Sequence, residues 1–254
     1  MSKYFTVEVN PTVSVAALAA GNITNSEILC DWHPFDVPKG SSRLIGITMR
    51  YTGKNGVYYA PTDYEIFWAK SINGNAPTTM GDDGAIVDTH GWFPNIIGKT
   101  YIDSSQNSND SDLIMGAIIT AASPSSGSSA GDELNFNSLV LTGEPETGSN
   151  VGYDKLYMGI IAKGTHNWGP STMTVDGTMA TTSPTLTVAD LSPVLSGVGP
   201  GDVLRDEDNN LFGTVKSVDS ATQITMEDNL AHASANNKLV YNTCPITLVL
   251  SFEK

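Results

Sequence analysis

Short runs of alternating apolar and polar residues, broken every few positions by Gly, Pro, Asn or Asp, dominate this chain. The firmest is Ile246-Thr247-Leu248-Val249-Leu250-Ser251-Phe252, whose residues 246, 248, 250 and 252 predict a strand with one face in a core. Tyr4 to Val9 alternates in the same way, and Pro11 ends or edges it. Glu27 to Trp32, Arg43 to Tyr51, Asp63 to Ala69, Lys99 to Ile102, Leu113 to Thr120, Leu134 to Leu141 and Lys155 to Lys163 read as further strands. Asn55-Gly56 predicts a hairpin after the Arg43–Tyr51 run, with residues 63–69 as its partner or near neighbour. Pro34 and Pro38 bracket an extended piece expected to cross between sheets. Only the Ala-rich half of Thr12 to Ala20 suggests a helix. Pro77 to Phe93 reads as a long irregular excursion, and Ser123 to Asp132 is the most linker-like stretch.

The pattern tightens after Pro170. Thr172 to Val175 and Thr185 to Val188 flank Asp176-Gly177, Val203-Leu204 starts another strand, and Asp206 to Asn210 forms a polar tip. Leu211 to Val218 returns, Asp219 to Thr222 turns, and Gln223 to Met226 follows. The succession GDVL (201–204), polar turn, LFGTVKSV (211–218) and DSATQITM (219–226) resembles a small β-barrel module found in virion proteins of tailed bacteriophages. The resemblance rests on turns and strand pattern and implies a component of a phage particle. A completed small barrel does not need the strand at 246–252, which is therefore expected to return to the first part of the chain. The resulting expectation is an all-β fold: a jelly-roll-like β-sandwich over residues 1–169, completed by 242–254, with residues 170–241 inserted as a small C-terminal β-barrel.

Composition narrows the partners. The 254 residues carry 13 Lys+Arg against 27 Asp+Glu, a net charge of −14. Affinity for a phosphate backbone depends on Lys and Arg displacing counterions, so no nucleic-acid partner is expected. The longest apolar run, Leu113 to Ile119, is too short to span a bilayer, and MSKYFTVEVN lacks an apolar signal region, so no membrane partner is expected either. Cys30 and Cys244 show no CxxC spacing and read as two buried free thiols.

Candidate chemistry is sparse. His33, His90, His166 and His232 lie far apart, and the first three sit within two residues of Trp32, Trp92 and Trp168. These tryptophans are the candidate aromatic contacts, as packing and subunit interface or as a platform for sugars. Asp206-x-Asp208-x-Asn210 opens like a calcium loop, but Leu211 replaces the turn glycine and Ser217 the bidentate glutamate, so it reads as a hairpin tip. Glu8, Glu65 and Glu133 are the carboxylates that a glycoside hydrolase would have to pair across a cleft. No GxSxG, HExxH, P-loop or dinucleotide fingerprint is present, so no catalytic, cofactor-binding or metal-binding residue is assigned and no cofactor is expected.

The expected role is a structural one in a tailed-phage virion, as a decoration or cement protein made in the host cytoplasm and carried on the particle. Its expected partners are the major capsid protein and copies of itself, with a homotrimer as the expected oligomer. A tail, neck or baseplate component that contacts host glycans is the alternative, and a glycan hydrolase is a further one.

Overall fold

The computed structural model describes residues 3–19, 23–24, 26–52, 63–81, 84–85, 89–102, 107–108, 116–121, 140–145, 153–165, 173–189 and 197–254. The strands of the first part are β1 (Tyr4–Val9), β2 (Glu27–Pro38), β3 (Ser42–Thr52), β4 (Tyr64–Lys70), β5 (Gly84–Ala85) and β6 (Ile96–Ile102). They continue with β7 (Asn107–Ser108), β8 (Gly116–Ala121), β9 (Val140–Leu141), β10 (Glu144–Pro145) and β11 (Tyr153–Ala162). The second part has β12 (Thr174–Val175), β13 (Thr185–Ala189), β14 (Val203–Asp206), β15 (Leu211–Ser220), β16 (Gln223–Met226) and β17 (Val240–Asn242), and β18 (Ile246–Glu253) ends the chain. Helix is confined to α1 (Val15–Ala19), α2 (Thr89–Trp92) and a 3-10 turn at Phe93–Asn95 among the described residues.

The described residues form three antiparallel sheets. The first runs β1-β18-β3-β8-β7, with β9 also on β3, and the second runs β5-β2-β11-β4-β6, with β10 on β11. In these two sheets, with the two-residue strands β5, β7, β9 and β10 set aside, eight longer strands remain among the described residues. Counted along the chain, their order is first–eighth–third–sixth in one sheet and second–seventh–fourth–fifth in the other. That is the double Greek key of a jelly roll.

The two sheets meet over one core. Ile246, Leu248, Leu250 and Phe252 of β18 are buried in strict alternation, and they share a cluster with Tyr64, Ile66 and Trp68 of β4 and Leu156, Met158 and Ile160 of β11. Trp68 is fully buried, and its indole N–H donates to Thr100 Oγ1 at 2.7 Å, so its polar handle is satisfied inside the core.

The third sheet, β12-β13-β16-β15-β14-β17, lies between the seventh and eighth long strands in sequence. A bridge between Thr174 and Leu239, with Val175 N–H to Lys238 O and Val240 N–H to Met173 O, brings its two ends together. The sheet thereby rolls into a small barrel around Val188, Leu204, Phe212, Ile224 and Met226.

Two local expectations change. β3 does not form a hairpin with β4: β3 pairs with β18, β8 and β9, whereas β4 pairs with β11 and β6 in the opposite sheet. Asn55-Gly56 lies outside the described residues, and the interval in sequence from the end of β3 at Thr52 to the start of β4 at Tyr64 is far longer than a two-residue hairpin turn. The segment around Pro34 and Pro38 does not cross between sheets but continues β2. There, among the described residues, β2 is paired on one side only, by β11, with Pro34 opposite Tyr157 and Pro38 opposite Tyr153, and an edge tolerates residues that lack an N–H donor. Asn73-Gly74 does make a tight turn: both residues have positive φ, and Ile72 and Asn75 exchange hydrogen bonds.

Candidate functional site

Trp32 and Trp92 come together on the outer face of the second sheet. Trp32 projects from β2, where its indole N–H donates to Thr78 O at 2.9 Å, and Trp92 meets it edge-on at 5.8 Å and 67°. Phe67 of β4 packs against Trp92 from the other side at 6.2 Å. With Ile28, Met80 and Ile96 they form a small satellite core. Gly159 of β11 makes it fit, since a Cβ there would run into the methyl of Met80. Asp31 pins the covering segment: its carboxylate accepts from Met80 N–H at 2.8 Å and from Thr79 Oγ1 at 2.5 Å. Trp92 is only 4% exposed and packs inside the chain, while its neighbour Phe93 is 68% exposed. Trp168 and His166 lie outside the described residues. Burial holds the imidazole of His33 below its ordinary pKa.

The candidate carboxylates are dispersed. Glu8 on β1 of the first sheet pairs with Arg50 at 3.2 Å. Glu65 on β4 of the second sheet takes Lys99 at 2.8 Å and Lys163 at 3.7 Å. Each is matched to cations on its own sheet, and the two do not face each other across a cleft. Glu133 lies outside the described residues.

The tip at Asp206–Asn210 is a built turn. Asp206 is 1% exposed; its Oδ1 accepts from Asp208 N–H at 3.0 Å and Asn210 N–H at 2.8 Å, and its Oδ2 from Asn210 Nδ2 at 3.0 Å. Asn209 takes the left-handed conformation that closes the turn, with φ 66°. The carboxylate therefore organises backbone. Among the described residues no group of three or more His, Cys, Asp or Glu is placed to hold a metal ion. Cys30 and Cys244 are both free and buried, and burial pushes both thiols up, away from reactivity at neutral pH.

A cleft of about 300 Å³ opens where the barrel meets the sandwich. One wall comes from the segment before α1, with Thr12, Val13 and Ser14, and from β2, with Ile28, Leu29 and Asp31. Arg205 of β14 and Asn209 of the β14–β15 turn form the other. Both walls are fixed. Val13 N–H donates to Thr243 O at 2.7 Å, Thr243 Oγ1 to Val203 O at 2.8 Å, and Arg205 Nη1 to Asn209 O at 2.9 Å. Arg205 enters no ion pair among the described residues. The cleft lining thus includes an acceptor-only carboxylate, Asp31, a donor-only guanidinium, Arg205, and the hydroxyl residues Thr12 and Ser14.

The sequence reading did not single out Asp31, Arg205 or Asn209. A faint signal existed for Arg205, the one cation in the acidic run Arg205-Asp206-Glu207-Asp208.

No protein-family model matches this chain, and no curated protein matches it. Among solved structures, one match is the crystal structure of the infectious bursal disease virus VP2 subviral particle, at 11% identity and a TM-score of 0.13. The match covers 99% of this chain and 41% of that one, so the chain spans less than half the length of the protein it is compared with. A score that low carries no argument about fold or function.

Proposed function

We propose that this chain is a structural component of a tailed-phage virion that decorates the head and stabilises it through contacts with the capsid protein and with copies of itself. The observation that carries the reading is architectural: a complete jelly roll holds a small barrel in the connection between its last two long strands. Jelly rolls serve as viral capsid and lectin domains, and the barrel's turns resemble a phage virion module; both supports are analogies of fold. Rigidity adds to them, because Tyr241 belongs to the sandwich core and Asn242, Thr243 and Cys244 are all buried where the barrel joins it. A protein that acts through a fixed outline gains from such a joint. The mechanism is mass action: a partner that binds only the assembled shell shifts the equilibrium toward it. A closed trimer at a local threefold is the arrangement proposed.

The test adds purified chain to phage heads that lack it. Saturable binding together with a raised melting temperature of the heads is the expected result. Binding to tails, necks or baseplates with none to heads overturns the decoration role.

A further inference from the structure

We propose that the cleft between sandwich and barrel binds one neutral saccharide ring, with Arg205 and Asp31 as its principal polar contacts. Arg205 has five N–H donors and Asn209 O takes one, so donors remain to face the cleft. Asp31 accepts one hydrogen bond on each oxygen from its own chain and keeps lone pairs on both. Ser14 Oγ accepts from Ala17 N–H at 3.0 Å, which leaves its hydroxyl proton to donate. The lining thus offers both donors and acceptors, and its formal charges cancel. A sugar hydroxyl, donor and acceptor at once, satisfies such a lining. A simple anion would meet Asp31, and a simple cation would meet Arg205. Val13, Ile28 and Leu29 also border the cleft, but their side chains are buried in the cores, so polar groups must carry the recognition. The volume of about 300 Å³ lies at the lower end of the range for small-molecule sites, which selects one ring over an oligosaccharide.

The position also suits binding. The cleft lies beside the β1–β2 connection and the insertion before β18, and loops held by a rigid scaffold are where recognition concentrates. Arg205 sits on β14 beside a turn fixed by the carboxylate of Asp206, so little backbone freedom would be lost on binding. The proposal does not depend on the virion reading.

The test titrates the isotope-labelled full chain with glucose, galactose, mannose and N-acetylglucosamine, and with phosphate and glycine as anionic and zwitterionic controls. The expected result is saturable millimolar-order binding of at least one sugar, with amide shifts concentrated at Ile28, Asp31 and Asn209. Arg205→Ala should weaken it by about tenfold or more, and Lys99→Ala, on the outer face of β6, should leave it unchanged. The amide shifts locate the site in the unmodified protein, so they decide even if Arg205→Ala unfolds the barrel. No sugar binding, sugar shifts elsewhere, or a response to phosphate or glycine alone would each overturn the proposal.

Discussion

Two aspartates of the barrel show how placement sets what one residue type does. Asp206 receives three N–H groups and builds a turn. Asp202 Oδ2 receives two, from Gly199 N–H and Asn242 Nδ2, both at 2.8 Å, yet burial outweighs them and lifts its pKa from 3.8 to about 6. Between those values the folded chain holds a proton that the unfolded chain has released. Stability contributed by this group is therefore present below about pH 4 and is lost as pH rises toward 6. Asn at 202 can accept the same two hydrogen bonds without a charge. Urea unfolding of Asp202→Asn and the parent across pH 4–7 should show the parent losing stability relative to the variant over that window. A difference that stays constant with pH would refute the assignment.

At the scale of elements, the outer face of the second sheet turns on a glycine. Gly159 leaves room for Met80, whose backbone Asp31 anchors and whose side chain packs with Trp92. Gly159→Ala should destabilise by about 1–3 kcal/mol through overpacking, and Met80→Ala should destabilise by leaving a void. The double variant should cost less than the two changes added, because removing Met80 removes the obstacle to the new methyl. A double-mutant cycle from denaturant midpoints with coupling above about 0.5 kcal/mol supports the packing, and strict additivity opposes it.

This cluster also marks where the sequence becomes hard to read. Ile246 to Phe252 shows its period because one face of β18 is buried and the other is not, and β14 to β16 are legible because each tip carries turn residues. Gly159 reads as punctuation along the chain, and its role as a gap exists only once the excursion through Met80 folds back over β11. The β3–β4 hairpin is the opposite case. A local turn signal pointed to adjacent pairing, but both strands found partners distant in sequence, β18 for β3 and β11 for β4. Asp31 and Arg205 likewise line one cleft only because the barrel is inserted where it is, and no spacing along the chain encodes that.

For the whole molecule the governing quantity is charge. A net charge of −14 makes copies repel, whereas exposed Tyr4, Phe93, Val140 and Tyr153 offer scattered apolar contacts. Salt separates the two forces: the screening length falls from about 30 Å at 0.01 M to about 3 Å at 1 M, and apolar contacts persist through that change. If the protein works beside copies of itself, sedimentation velocity should show association increasing steadily with sodium chloride over that range. Phe93→Ser combined with Tyr153→Ser should reduce the associated fraction at high salt without lowering the melting temperature, because neither side chain belongs to a core. Oligomers that dissociate as salt is added would mean that ion pairs hold the copies together. The repulsion inferred from the chain's composition would then be the wrong description of its surface, and contact through apolar side chains would fail with it.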